Sequence, residues 1–386
     1  MNMKYKASAL ALLFFCIFIN SAKAQQITEK IELGHTIYLN SVYLGEGRQV
    51  HIYLPPDYEQ TKNRYPVLYL LDGGFHFHHA TGIVQFLSNN GRMPRAIVAA
   101  IPNTNRNRDF TPIAAEERPG SGGADKFLDF LQKELIPHID ENYRTHDYRI
   151  LFGHSLTAMF VCYTLASRPE IFKAYIAASP YLMQDDELVL KKAKDAFDKN
   201  GAAASDLYMT IGNEPRYTES KEKFTSLLKQ PAAADINWKY KVMESEDHGS
   251  VVHKTIYDGL EFIYSGWRIP ADSANDIKSI EKHYKTLSEK FGYEIKAPEF
   301  VLNRLGYQKL QADKVDEAVR IFEQNVKLYP ESANVYDSLA EAYERAGRIE
   351  LAAENYKTAV ENGKKTNDAN LNIFVTNLKR VEEKLK

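Results

Sequence analysis

The chain has 386 residues, a length that favours two domains, with 26% charged residues and a formal net charge of −2 at pH 7. This near-neutral balance excludes a protein that binds nucleic acid or anionic lipid through a strongly basic surface. Only one cysteine, Cys162, lies beyond the first 24 residues, which excludes an intrachain disulfide in the remainder of the chain.

Residues 1–24 have the pattern of a secretory signal peptide. Lys4 and Lys6 precede an apolar run from residue 7 to residue 19, and small residues follow at the positions that a signal peptidase reads. We predict cleavage after Ala24 and export to the bacterial periplasm or the medium, without a stable membrane anchor. A retained anchor is the alternative, for which the apolar run is short.

Residues 25–268 are predicted to form an α/β domain, because apolar strand-like runs alternate with amphipathic helical segments. The first two runs alternate apolar and polar residues, which predicts an antiparallel edge hairpin turned at residues 45–47. The later runs are short and nearly continuously apolar, as in parallel strands covered on both faces. The predicted strands are Ile37–Leu44, Val50–Leu54, Val67–Leu71, Ala96–Ile101, Arg149–Phe152, Ala174–Ala178, Leu207–Ile211 and Trp238–Met243. The predicted helices are His79–Ser88, Ala124–Asn142, Ala158–Ser167, Glu187–Lys199, Ser220–Lys229 and Gly249–Tyr264.

Beyond residue 268 strand signals end and helical periodicity continues. We predict a linker helix within residues 269–298 and a small all-α domain over residues 299–386. That domain resembles tetratricopeptide repeats followed by a capping helix, because similar residues recur at an offset of about 34. The recurring pairs are Leu305 with Leu339, Gly306 with Ala340, Ala318 with Ala352, and Phe322 with Tyr356. An ordinary helical hairpin is the alternative, and the helices could dock a protein partner, mediate self-association or add stability.

Residues 150–158 predict a strand, a sharp turn and a helix, and they are the most informative segment of the chain about its function. An apolar strand would run into Gly153, and a helix would follow after a sharp turn. This arrangement is typical of a nucleophile elbow, in which a serine is held beside a helix N-terminus, and it makes Ser155 the candidate nucleophile. Thr157 stands where the full Gly-x-Ser-x-Gly pattern has its second glycine.

An elbow serine needs a base and an orienting acid, which follow it in the chain order Ser, acid, His. His248 lies in a polar loop after the last predicted strand and is the candidate base, whereas His253 lies one turn into the next helix. Glu214 follows the penultimate strand and is the candidate acid. Glu246 and Asp247 are alternatives, although they are too near His248 in sequence to reach its far ring nitrogen easily.

Candidate oxyanion-hole residues lie on two loops. Such a hole needs two backbone N–H groups directed at the developing negative charge. Leu156, directly after the candidate nucleophile, would supply one of them. The loop after the third strand would supply the other, and we favour Gly74 over its neighbour Phe75 because glycine permits close backbone approach.

Further side chains are expected to border the site. The candidate substrate-binding residues are Phe75, Arg106, Arg108 and His154. The two arginines follow the fourth strand and could bind an anionic or polyhydroxylated substrate, or only form surface ion pairs. The histidines of residues 76–79 have no carboxylate interleaved at ligand spacing, so we predict no metal site. An elbow serine also needs no cofactor.

Several motifs in the same order resemble the esterase family of α/β-hydrolases, which includes esterase D, enterobactin-type siderophore esterases, and feruloyl and acetyl-xylan esterases. They are PVLYLLDG (Pro66–Gly73), ELIPHIDENY (Glu134–Tyr143), Gly153–Ser155 and His248. The resemblance covers about residues 37–266 and implies an α/β-hydrolase fold and serine esterase activity. Asp72, where a histidine is common before the oxyanion glycine, is more similar to the siderophore-esterase branch.

The ester itself stays open among siderophore trilactones, feruloylated or acetylated polysaccharides and small acyl esters. Two other functions fit the same residues. One is acyl transfer to a sugar or lipid, and the other is a catalytically inactive hydrolase fold that binds a partner through its helical repeats.

Overall fold

The computed structural model describes residues 30–386, apart from the side chains of residues 184–186 and 200. The predicted signal peptide, residues 1–24, therefore lies outside the described residues. Within the described part of the chain, no helix is both long enough and apolar enough to cross a membrane.

A central eight-stranded sheet confirms the predicted α/β-hydrolase fold class. Its strands are β1 (His35–Ser41), β2 (Glu46–Tyr53), β3 (Tyr65–Leu70), β4 (Ile97–Ala100), β5 (Thr145–His154), β6 (Ala174–Ala178), β7 (Ser205–Ile211) and β8 (Ile236–Val242). Their order is β1-β2-β4-β3-β5-β6-β7-β8. The pairs β1–β2 and β2–β4 are antiparallel, and all the others are parallel. The carboxyl ends of β3 to β8 therefore meet at one edge.

The edge hairpin turns slightly earlier than predicted. Its turn comprises residues 42–45, and Gly45 has φ 66° and donates its N–H to the carbonyl oxygen of Ser41 (3.0 Å). Glu46 and Gly47, which were predicted in the turn, instead pair with Ser41 and Asn40 in the ladder. The left-handed conformation of Gly45 closes the turn before these two residues.

Helices cover both faces of the sheet. They are α1 (Gly73–Asn89), α2 (Arg106–Phe110), α3 (Ala124–Phe130), α4 (Ile136–Asn142), α5 (Leu156–Ser167), α6 (Gln184–Asn200), α7 (Thr218–Leu228) and α8 (Val251–Ile263). Helices α1 and α8 share one core with the sheet, and α3 to α7 share the other. Every residue of α5 except Ser167 is buried, which explains why this helix reads as apolar all round.

Six further helices follow: α9 (Ile277–Phe291), α10 (Glu299–Gln311), α11 (Val315–Leu328), α12 (Ala333–Arg345), α13 (Ile349–Thr366) and α14 (Leu371–Lys384). Helix α9 joins the core beneath β5, where Phe291 packs edge-on against Tyr148 with ring centroids 5.0 Å apart. A Cβ at Gly306 would lie 2.4 Å from the ring of Phe322, so the close approach of α10 and α11 requires a residue without a side chain. The tetratricopeptide assignment and the boundaries at residues 269–298 and 299–386 stay predictions.

Candidate active site

Ser155 occupies a strained turn between β5 and α5. Its backbone has φ 59° and ψ −114°, a conformation that a residue with a side chain keeps only where its surroundings enforce it. The Ser155 N–H donates to the carbonyl oxygen of Ala178 (2.9 Å), and its own carbonyl oxygen accepts from the N–H of Tyr181 (3.1 Å). These bonds hold the serine at the carboxyl end of the sheet, at the N-terminus of α5.

The elbow is packed closely around its single glycine, Gly153. A Cβ at Gly153 would lie 2.4 Å from the carbonyl oxygen of Thr157. Thr157 itself is fully buried, and its Oγ1 accepts from the N–H of His154 (2.7 Å) and donates to Oδ2 of Asp72 (2.6 Å). Threonine therefore fits at the place of the second glycine because its hydroxyl ties the elbow to the loop after β3.

Replacing Thr157 by valine is expected to lower the free energy of unfolding by about 1–3 kcal/mol, because a buried N–H and a buried carboxylate oxygen each lose a partner. Thr164→Val is the matched control, since its equally buried hydroxyl bonds only the carbonyl oxygen of Phe160 within the same helix. We expect Thr164→Val to lower the free energy of unfolding by less than about 1 kcal/mol. Urea denaturation compares the two variants, and equal losses would show that the Thr157 hydroxyl has no special contribution.

Glu214 and His248 form a hydrogen-bonded pair. Nδ1 of His248 lies 2.5 Å from Oε1 of Glu214. The other carboxylate oxygen, Oε2, accepts from the Ser179 hydroxyl (2.6 Å) and the Gly212 N–H (3.2 Å), and only 8% of the Glu214 side chain is exposed. The acid is thus fixed by its neighbours, while the imidazole is about half exposed.

The other candidate acids and the other candidate base have different partners. Glu246 forms an ion pair with Lys254, and Oδ1 of Asp247 accepts from the backbone N–H groups of Gly249 (2.9 Å) and residue 250 (2.8 Å). The ring of His253 packs near that of His79, with centroids 5.3 Å apart. The geometry therefore favours the Glu214–His248 pair over these alternatives.

One cavity of about 690 Å³ collects most of the predicted residues. Ser155, Leu156, Arg106, Glu214 and His248 all contribute to its lining. Among the described residues, four predicted ones lie outside that lining: Gly74, Phe75, Arg108 and His154.

Arg108 and Phe75 were predicted to bind the substrate, but neither lines the candidate active-site cavity. Arg108 borders a separate, smaller cavity, where its guanidinium pairs with Glu46 (2.6 Å) and Asp109 (2.7 Å). The guanidinium of Arg108 is thus paired with carboxylates of the protein, as in the alternative of ion pairing that the sequence analysis left open. The Phe75 side chain is 81% exposed to solvent.

Gly74 and Leu156 lie in the first turns of α1 and α5, where backbone N–H groups have no acceptor within their own helix. The N–H of Phe75 instead donates to the carbonyl oxygen of Asp72 (2.9 Å), which favours Gly74 as the second oxyanion donor. The position that sterically requires glycine is Gly73 and not Gly74, because a Cβ at Gly73 would lie 2.5 Å from the Ile101 nitrogen. At position 74 the nearest atom would be 4.0 Å away.

Asp72 connects the oxyanion loop, the elbow and the cavity wall. Its buried carboxylate accepts from Nε of Arg106 (2.8 Å), Nδ2 of Asn103 (2.5 Å) and the Thr157 hydroxyl. Burial raises the pKa of Asp72, but Arg106 and the other donors outweigh it and hold that pKa below the ordinary value. Arg106 also donates to the carbonyl oxygen of His154 (2.9 Å). The sequence analysis did not predict these contacts of Asp72. The only signal for them in the sequence is an aspartate directly before two glycines.

A row of imidazoles leads from the candidate base towards α1. Nε2 of His154 lies 2.7 Å from the carbonyl oxygen of His248, and Nδ1 of His76 lies 3.1 Å from Nε2 of His79. Burial lowers the pKa of His76 and of His79 to about 4. His154 therefore supports the loop that carries the candidate base, and His76 and His79 are neutral at pH 7.

The free energy of unfolding is expected to fall as the pH drops from about 6.5 to about 4. The ordinary histidine pKa is 6.5, so in this range the unfolded chain takes up protons that folded His76 and His79 refuse. Each should contribute about 1–3 kcal/mol, discounted for partial exposure. Thermal unfolding of the His76→Gln/His79→Gln variant should show a shallower pH dependence than the wild type. His78→Gln, an exposed neighbour on α1, is the control; an unchanged slope in the double variant contradicts this origin.

Comparison with known proteins identifies relatives of this part of the chain. The family model described as "Putative esterase" matches residues 41–251. Ferri-bacillibactin esterase BesA of Bacillus subtilis is 33% identical over 169 residues, which are 38% of this chain and 58% of BesA. The siderophore triacetylfusarinine C esterase of Aspergillus fumigatus is 27% identical over 194 residues, 42% of this chain and 65% of that protein. The chain thus spans less than two thirds of the length of either relative.

A solved structure with the same fold extends the similarity. The crystal structure of an IroE-like serine hydrolase from Shewanella oneidensis superposes with a TM-score of 0.67 at 28% sequence identity. The match covers 76% of this chain and 99% of that one.

Proposed function

The chain belongs to the "Putative esterase" family, and from this premise we propose that it hydrolyses carboxylic esters with Ser155 as the nucleophile. One observation carries the proposal: the 2.5 Å bond between Glu214 and His248 lies in the same cavity as a serine held at φ 59°. A base oriented by an acid beside a strained serine is the constellation that activates a hydroxyl for attack on a carbonyl carbon.

In the proposed reaction, Oγ of Ser155 attacks the ester carbonyl carbon while Nε2 of His248 takes its proton. Glu214 keeps the other ring nitrogen protonated and stabilises the imidazolium that forms. The N–H groups of Leu156 and Gly74 donate to the oxygen that becomes negative. His248 then protonates the leaving alcohol, which departs and leaves the acyl group on Ser155. Water, deprotonated by His248, attacks this acyl-enzyme. His248 then returns the proton to Oγ of Ser155 as the acyl bond breaks, which releases the acid and restores the free serine.

Siderophore esters are the substrate class that we propose first. The support is that both curated relatives described above are named as esterases of siderophores, and that Asp72 stands before the double glycine. Acylated carbohydrates are the second class to test. We also propose that residues 1–24 direct export to the periplasm or the medium. We further propose that α10 to α13 form two tetratricopeptide-like units, closed by α14 as a capping helix, that are able to bind a protein partner or a second copy of the chain.

The proposal is tested with purified protein and p-nitrophenyl butyrate, followed by a screen of siderophore trilactones, feruloylated and acetylated polysaccharides and small acyl esters. Hydrolysis of at least one class is expected, with the free acid as product. A new ester formed when an alcohol acceptor is added would identify acyl transfer instead. A chain that hydrolyses no ester and resists a fluorophosphonate probe would be a binding module, contrary to the proposal.

A further inference from the structure

Lys221 is a buried cation in the wall of the candidate active-site cavity. It lies on α7, only 1% of the residue is exposed, and it contributes to the lining together with Ser155 and His248. Among the side chains that the structure describes, no carboxylate forms an ion pair with its ammonium group and no oxygen accepts a hydrogen bond from it. Because burying a charge is costly unless a partner compensates it, an anion that binds next to Lys221 would be stabilised.

The surroundings hold Lys221 without neutralising it. Its Nζ lies 5.0 Å from the centroid of the Tyr217 ring, a separation at which the ring face attracts a cation. Burial lowers the pKa of Lys221 to about 8, with Glu214 opposing the shift, so the ammonium is mostly charged at pH 7. Glu214 acts on Lys221 only at a distance, because the direct partners of its two carboxylate oxygens are His248, Ser179 and Gly212.

Most of the other charged side chains that line the cavity are also positive. Arg106, Arg118 and Arg216 also contribute to the lining, whereas Glu214 is the single carboxylate among the described lining residues. Arg106 is already paired with Asp72, whereas Lys221 is a buried cation of the cavity wall without an ion-pair partner among the described side chains. A cavity with this charge attracts anions and repels cations.

We propose that the ester substrate carries an anionic oxygen group, a carboxylate or a phenolate, and that Lys221 binds it while Ser155 attacks the ester carbonyl. This inference rests on the proposed esterase function and adds the charge of the substrate and the residue that selects it. An anionic group supplies the ion-pair partner that Lys221 lacks, and it does so through a charge-assisted hydrogen bond, which is stronger than a neutral one.

The test uses two esters of equal length that differ in charge: mono-p-nitrophenyl adipate, with a free carboxylate, and its neutral methyl ester. The wild-type chain is expected to have the higher kcat/KM for the anionic ester after subtraction of spontaneous hydrolysis. In Lys221→Met, kcat/KM for the anionic ester should fall by about 10- to 100-fold, mainly through KM. For the neutral ester it should change by less than about 3-fold.

Two further variants separate charge recognition from folding. Lys221→Arg keeps the positive charge and should retain a preference for the anionic ester. Lys223→Met removes an exposed lysine of the same helix, which pairs with Glu187, and should leave both substrates unaffected. An equal loss for both esters in Lys221→Met, or a wild type without charge preference, overturns the inference and leaves the esterase proposal standing. A wild type that hydrolyses neither these nor other esters overturns both.

Discussion

Ser155→Ala is expected to lower kcat for p-nitrophenyl butyrate by about 10⁴- to 10⁶-fold. Loss of a triad nucleophile removes the covalent route, and only binding and oxyanion stabilisation then act on the substrate. The variant should fold normally, because the main-chain bonds of the elbow do not involve the hydroxyl. Steady-state hydrolysis and labelling by a fluorophosphonate probe measure the effect.

A matched control is Ser226→Ala, which removes an exposed hydroxyl that bonds only the carbonyl oxygen of Glu222 within its own helix. This variant should keep wild-type activity and the same labelling. If the Ser155→Ala and wild-type chains hydrolyse the ester at the same rate, Ser155 is not the nucleophile.

Glu214→Gln is expected to reduce kcat by about 10³- to 10⁴-fold with a smaller change in KM. A neutral amide cannot stabilise the imidazolium, and it can turn its NH₂ towards Nδ1 of His248 and enforce the wrong tautomer. Ser179 and the Gly212 N–H would also lose a charged acceptor, so the variant should be somewhat less stable. The pH profile of kcat/KM, together with a melting curve, separates the catalytic effect from the structural one.

Glu246→Gln provides the comparison, because Glu246 is close to His248 in sequence but pairs with Lys254. It should retain activity within a few-fold of the wild type. A larger loss in Glu246→Gln than in Glu214→Gln would assign the acid to the loop that carries His248.

Local pattern was sufficient for most of the sheet. The runs that predicted strands from Val50 to Met243 correspond to β2 through β8. The continuously apolar strands β3, β4, β6 and β7 are buried throughout, as expected for strands covered on both faces, whereas β8 is mostly half buried or exposed. The five-residue helix α2 was not predicted, since it is too short to show periodicity. Helix α1 begins at Gly73, six residues before the predicted start, because Asp72 enters it in a left-handed conformation (φ 53°) that no spacing reveals.

For the candidate site, chain order and loop position were enough to select Ser155, Glu214 and His248, since in a parallel sheet the loops after successive strands meet at one edge. Chain order and loop position could not predict which side chains from distant parts of the chain contact each other. The Thr157–Asp72 bond spans 85 positions, and the separation of Arg106 from Arg108 depends on which partner carboxylate each side chain reaches.

The sequence by itself determined the strand–turn–helix at Ser155 and the order of its partners, because backbone preference and burial act over a few residues and leave a readable period. Only the tertiary structure decided that Thr157 ties the elbow to Asp72, that Arg108 is paired away from the cavity and that Lys221 is buried in its wall. The physical reason is that burial and pairing of a charge depend on neighbours from distant parts of the chain, which only the packed layers bring together.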